Sequence, residues 1–319
     1  MAQYTWGFDS PSGVFKSHAM SSKIYETAVA NTKFMPFAKP VDGFGKKKGE
    51  TVTLTRIAAI SEPTSAALTE GTKISEDTYA ITTTSITVSE YGRSVPFTSL
   101  AEDLSVVDIE NSVQARLREQ MTLSLDTVAS AAFKTTQVKY TPTGVTSADT
   151  TTGSSFTSAA TNNMNMYHME QIYDLLYDTY LTPPLEGDKY VGIFRHLAVR
   201  GLMRDSDWVE WHKYVGPAAK ENGEVGQIEN IRVIDTNHGN NAGTLGLGKV
   251  GTSNVLGEGV VFGQDAIAIA TVQEPELRAK IAGDYGRDKG VAWYGVLGMG
   301  AIWTAANAGQ AKIVHVGST

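Results

Sequence analysis

From Ser99 to Thr141 the sequence contains neither glycine nor proline, although the chain holds 31 glycines and 10 prolines. No other feature constrains the fold as much. Within this stretch Val106, Ile109, Val113, Leu117, Met121, Leu125, Val128 and Ala132 recur every three or four residues, the spacing of one helical face. Two segments, Ser99–Glu102 and Ser105–Asp108, pair a hydroxyl with a carboxylate three positions on, a helix-start pattern. The spacing predicts a helix of nearly thirty residues, about 40 Å long at 1.5 Å per residue. Helices of globular domains average about 11–12 residues. This one reads as a spine with a single buried stripe.

The segments before the spine carry strand signals. TVTLTRI (51–57) alternates with period two, and TYAITTTSITVSEYGRSVPF (78–97) alternates for longer. Both are β-branched and rich in threonine, with neither face apolar enough for a central strand. They predict a long hairpin, polar on both sides, that needs a partner surface because an isolated hairpin is marginal in water. Residues 1–45 scatter Trp6, Phe8, Val14, Phe15, Ile24, Phe34, Phe37 and Phe44 among glycines and prolines without period. They read as an extended arm laid on another surface, or as a strap on the chain's own domain. Lys46, Lys47 and Lys48 read as a solvated turn in preference to a nucleic-acid site.

Beyond the spine, residues 141–163 are small, polar and of low complexity, and are expected to form a loop or insertion. A helix is predicted over 164–181, stopped by Pro183-Pro184, with Met164, Met166 and Met169 as core filler. KYVGIF (189–194) reads as a short buried strand, HLAVRGLMRDSD (196–207) as a helix, and VVFGQDAIAIA (260–270) as another strand. Trp208, Trp211 and Tyr214 fall between that helix and GEVGQIENIRVIDTN (223–237). There Gly223 and Gly226 are expected to turn the chain into the Ile231–Ile234 strand. A glycine-rich loop is expected over 239–259. The last fifty residues alternate again, as two or three strands with glycine turns.

The composition removes several chemistries. The absence of cysteine excludes disulfides, thiol nucleophiles and cysteine-bound zinc. A net charge of −7 disfavours broad duplex binding. The mean hydropathy is −0.17; with no apolar run of about 18 residues, no membrane span is expected. The first residues have no basic start and no apolar core, so no signal peptide is expected and the chain is assigned to the cytosol where it is made. Gly243 to Lys249 has phosphate-loop spacing, but Val250 stands where a hydroxyl should bind magnesium. Gly246, Gly248 and Gly251 fit a dinucleotide fingerprint, yet no helix can open after them. No two of His18, His168, His196, His212, His238 and His315 have the spacing of a zinc helix, and each reads as a surface or satisfied core histidine. GTSNV (251–255) lacks the closing glycine of a nucleophile elbow. No catalytic, cofactor-binding or metal-ligating residues are assigned, no cofactor is expected, and the chain is not expected to be an enzyme.

KYVGIFRHLAVRGLMRDSDWVEWHKYVGPAAKENGEVGQIENIRVIDTN (189–237) resembles the central domain of tailed-bacteriophage major capsid proteins. The similarity is greatest to the subfamily typified by coliphages that package a virion RNA polymerase. Asp205, Asp207, Trp208 and Trp211 occupy that family's acidic, aromatic turn, and VVFGQDAIAIA and GVAWYGVLGMGAIW resemble its returning strands. GAIWTAANAGQAKIVHV departs from the family's ending. The resemblance implies an α+β capsid fold with an N-terminal arm at 1–45 and an extended β-hairpin loop at 46–98. A peripheral domain with the spine helix would take 99–135 and 271–319, and an axial domain 164–270. Residues 136–163 would be a polar loop or insertion. It further implies self-assembly as hexamers and pentamers into an icosahedral head enclosing double-stranded DNA, without sequence-specific binding and without a membrane. A same-fold nanocompartment around a cargo enzyme is the alternative. Portal, scaffolding and decoration or cement proteins are the implied partners. The virion capsid, assembled in the bacterial host cytoplasm, is the implied location.

Overall fold

The computed structural model describes residues 30, 32–60, 62, 67–74, 76–105, 108–158, 160–206, 224–240, 243–248, 257–305 and 309–318. The expectations for residues 1–29, Val106, the turn from Asp207 through Trp208, Trp211 and Tyr214, Gly223, and 249–256 lie outside these.

The glycine-free stretch folds as two helices, α1 (Ser99–Leu104) and α2 (Ile109–Phe133), so the helix of nearly thirty residues is shortened to 25 and preceded by a separate short one. The capping residues are also corrected. The Thr98 hydroxyl accepts the Ala101 N–H at 3.2 Å, and the Asp108 carboxylate accepts the Asn111 N–H at 3.1 Å. Ser105 and Asp108 are extended, and a short acceptor side chain on such a residue favours starting a new helix over continuing the old one. The 25 residues of α2 still span about 37 Å.

The spine lies across a four-stranded sheet of order β1 (Lys39–Pro40), β11 (Ile267–Ala279), β12 (Asp288–Ala301), β4 (Ser89–Thr98). Leu117 of α2 is buried with Val291 and Trp293 of β12, flanked by Val113, Met121, Tyr91, Phe97 and Leu277. The Trp293 indole N–H donates to Gln120 at 3.3 Å. Each such large apolar side chain contributes about 1.5–3 kcal/mol by leaving water.

A seven-stranded sheet has the order β6 (Ser147–Thr152), β5 (Val138–Gly144), β13 (Ile313–Ser318), β10 (Gly257–Phe262), β7 (Tyr190–Arg195), β9 (Ile231–Thr236), β8 (Glu224–Ile228). On one face lie α3 (Met166–Asp174), the π-helical turn Leu175–Thr179 and α4 (His196–Met203), burying Met164, Met169, Ile172, Leu176 and Leu202 against Tyr140, Val233, Val261 and Val314. The methionines are core filler, as expected. On the other face Phe133 from the end of α2 meets Phe34 and Phe262, at centroid separations of 5.6 and 4.6 Å. The central strands β10 and β13 are buried along their whole length, as befits strands covered on both sides.

Four further expectations are corrected at the level of elements. Within the expected polar loop or insertion, residues 138–152 are not irregular: β5 and β6 form an antiparallel hairpin, and β5 pairs in parallel with β13. Threonine is β-branched and suits an edge strand, which low complexity concealed. The final strand β13 joins the seven-stranded sheet, whereas 271–301 stays with the spine. The polar hairpin is β2 (Thr51–Ile57) paired with β3 (Ile81–Thr87) alone, because after Val88 the chain leaves to pair Ser89 with Leu297. In GEVGQIENIRVIDTN the reversal falls at Glu229 and Asn230, with φ of 41° and 58°. Gly226 instead marks a bulge in the pairing of β8 with β9.

The described part of the arm is a strap on its own chain. Phe34 is fully buried, Phe37 packs edge-on to Phe262, and β1 pairs with β11.

Candidate functional site

A cluster of ionisable side chains is buried where the end of the spine meets the seven-stranded sheet. Asp126 on α2 is fully buried. One carboxylate oxygen accepts the Phe34 backbone N–H at 2.8 Å, and the other pairs with His238 Nδ1 at 2.7 Å. This single side chain therefore ties strap, spine and glycine loop together. Lys134, which caps the C-terminus of α2, sends its ammonium into that loop. Nζ donates to the carbonyls of Gly243 at 2.5 Å and Gly246 at 2.8 Å, and stands 3.4 Å from Glu258 Oε2. A cation there also complements the helix dipole. Glu258 Oε2 in turn accepts the Gly248 N–H at 2.6 Å.

Lys139 of β5 and His315 of β13 complete the cluster. Lys139 Nζ donates to the Lys134 carbonyl at 2.9 Å and to His315 Nδ1 at 3.0 Å. His315 therefore carries its proton on Nε2, which lies 3.6 Å from Glu258 Oε1 and makes no hydrogen bond. Burial pushes Lys139 down to about 8; Glu258 opposes the shift and Lys134 adds to it. Burial also pushes His315 down to about 4, with Glu258 opposing and both lysines reinforcing. For Glu258 burial acts upward, but His315, Lys134 and the Gly248 N–H outweigh it and hold the carboxyl at about 2. At neutral pH His315 is uncharged, so Lys134 and the Gly248 N–H carry that attraction.

The chemistry of this cluster is that of a clasp. The glycine run aims carbonyls at a lysine, the reverse of a phosphate cradle, whose backbone N–H groups face the anion. His168 is buried and bonded to the Tyr140 hydroxyl and the Gly144 carbonyl, each at 3.0 Å. His196, the first residue of α4, pairs with Asp235 near the end of β9 at 2.7 Å, with no hydroxyl nucleophile joined to it among the described residues. His18 and His212 lie outside the described residues. Among those described, no three His, Asp or Glu side chains stand close enough to hold a metal ion. Sequence reasoning left His238 and His315 as surface or satisfied core histidines; both are buried, and their partners were missed. The available signal was polar: Asp126 sits beside Leu125 and Ala129 on the buried face of α2.

The other prominent feature is exposed. Between Ile57 and Ile81 six large apolar side chains, Ile57, Ile60, Leu68, Ile74, Tyr79 and Ile81, are each more than half exposed, from 56% to 69%. The paired strands of the same hairpin are held along their length, from the base to Arg56. Val52 and Ile86 are buried against Ala268 and Ala270, and Arg56 donates to the Ile302 carbonyl at 3.0 Å beside the Trp303 ring. Gly298 permits the close approach: a Cβ there would lie 2.4 Å from the Thr87 carbonyl oxygen.

No protein-family model matches the chain, and no curated protein matches it in sequence. Solved structures do match, and they place it in the fold of tailed-phage major capsid proteins, an α+β fold with arm, extended hairpin, spine helix and axial sheet. One such chain comes from the acid-stable capsid of Helicobacter pylori bacteriophage KHP30. Its TM-score is 0.71 at 14% identity, covering 100% of this chain and 99% of that one. The capsid chain of cyanophage Pam1 gives 0.67 at 13% identity over 100% and 99%. That of Ralstonia phage GP4 gives 0.66 at 14% over 99% and 98%. Among the described residues no helix is long and apolar enough to cross a membrane.

Proposed function

We propose that this chain is the major capsid protein of a tailed bacteriophage. Many copies form hexamers and pentamers that close into an icosahedral head around double-stranded DNA. The supporting observation is end-to-end similarity to phage capsid chains, joined to a hairpin whose apolar side chains find no cover within the monomer. Soluble monomers rarely expose large contiguous apolar patches unless something docks there. In an assembly the hairpins reach over neighbours and bury that surface at about 25 cal/mol per Å². The net charge of −7 suits a container whose wall should not bind DNA tightly.

In this reading the domain division is arm, extended loop, peripheral domain around the spine and axial domain around the seven-stranded sheet, with the glycine loop near the capsomer axis. Portal, scaffolding and decoration proteins are the proposed partners, and assembly takes place in the host cytoplasm. Residues 189–237 support a place near the coliphages that package a virion RNA polymerase. The reading is tested by light scattering with negative-stain microscopy on one purified sample. Closed shells tens of nanometres across, or rings of five and six, are expected. A monomer that stays monomeric at high concentration and with a scaffolding protein present would overturn it, and shells filled with an enzyme would favour the nanocompartment.

A further inference from the structure

We infer that the acidic tip of the hairpin in one copy docks onto the lysine-bearing turn at the base of the same hairpin in the next copy. This rests on the shell reading and specifies one of its contacts. The segment joining β2 to β3 carries Glu62, Glu70, Glu76 and Asp77 against a single lysine, Lys73, for a net charge of −3. In the segment leading into β2, residues 39–50, Lys39 is paired with Asp265 at 2.6 Å, which leaves Lys46, Lys47 and Lys48 against Asp42 and Glu50, for a net charge of +1. Those four tip acids and Lys46–Lys48 are all exposed.

The strands hold the two poles apart within one chain. Strands β2 and β3 have seven residues each, which separates tip from base by about 23 Å at 3.3 Å per residue. The Debye length at physiological salt is about 8 Å. The hairpin is thus a charged rod, negative at its free end and positive where it is anchored. Two tips repel, so a symmetric pairing of hairpins is disfavoured. Tip to base is attractive, and it is a head-to-tail contact, the kind that closes into rings when repeated by rotation. Leu68, Ile74 and Tyr79, exposed among the tip acids, supply the apolar area such a contact buries. The charges choose the partner and the direction, the usual role of complementary surface charge.

The test is a charge swap in the full chain. One variant carries K46E, K47E and K48E, a second carries E62K, E70K and D77K, and a third carries all six. Because every altered side chain is exposed, all three should unfold within a few degrees of the unaltered protein. At low salt each single-pole reversal should raise the concentration for half-assembly by about tenfold or more. The six-fold swap restores opposite poles and should return it to within about threefold of the original. A reversal that assembles like the unaltered chain, or a combined variant no better than its parents, overturns the proposal while leaving the shell reading intact. If the unaltered chain forms no rings or shells, the shell reading fails first. A carbodiimide cross-link between isotopically distinct copies, joining Lys46–Lys48 to Glu62, Glu70 or Asp77, would still support the contact. Its absence at high concentration would overturn it.

Discussion

Glu258 holds the buried cluster together, with Lys134 on one side, His315 on the other and a backbone N–H in between. Buried ion pairs contribute little net stability when intact, but removing one partner strands the other. Glu258→Ala should therefore cost about 3–5 kcal/mol in urea unfolding. Adding Lys134→Met should recover part of that loss, and two additive penalties would show the pair to be uncoupled. The cluster also makes stability depend on pH. His315 binds a proton near 6.5 when unfolded and near 4 when folded. The unfolded chain therefore takes up protons first, and stability falls as pH drops from about 6.5 to 4, by on the order of 3 kcal/mol. Glu258, held at about 2, adds a second loss below pH 4.5. His315→Gln should flatten the first window and shrink the second, leaving there only what Lys134 and the Gly248 N–H contribute, as read from unfolding midpoints at stepped pH.

The periodicity of α2 was legible because one stripe is buried along its length: Val113, Leu117 and Met121 join the Trp293 cluster, and Ala129, Ala132 and Phe133 pack on the seven-stranded sheet. Leu117→Asp places a charge against Trp293 and should cost at least about 3 kcal/mol, with a matching loss of soluble yield. The strand β7 and helix α4 were legible for the same reason, a local pattern with one destination. Partner choice was not legible. Nothing local in residues 78–97 says that Thr87 belongs to one sheet and Ser89 to another; tertiary pairing with β12 decides it. The threonine-rich β6 looked like a loop because an edge strand needs no apolar residues to be paired. The clasp stayed hidden because its members lie far apart in sequence, from Asp126 to His315. The arm was half legible: its aromatics proclaimed a packing role, but only the structure shows that Phe34 packs on its own chain.

For the whole molecule, the hairpin tip is separable from the folded body. The Ala58 N–H bonds the Ala80 carbonyl at 3.1 Å, so a two-residue turn could replace 59–79 without disturbing either large sheet. That deletion should leave the unfolding midpoint nearly unchanged and abolish rings and shells; particles of normal size would remove the hairpin from assembly. The position of β13 has a consequence of a different kind. This strand, made after the other described strands, lies between β5 and β10 and bonds to both. Until residues 313–318 leave the ribosome, two buried-type strands face each other across a gap with open, adhesive edges. Such long-range closure is slow, and during synthesis at about 5–20 residues per second the unfinished chain is exposed to its neighbours on the same message. A cell making many copies at once would hold each nascent sheet open among others of its kind until this strand is released.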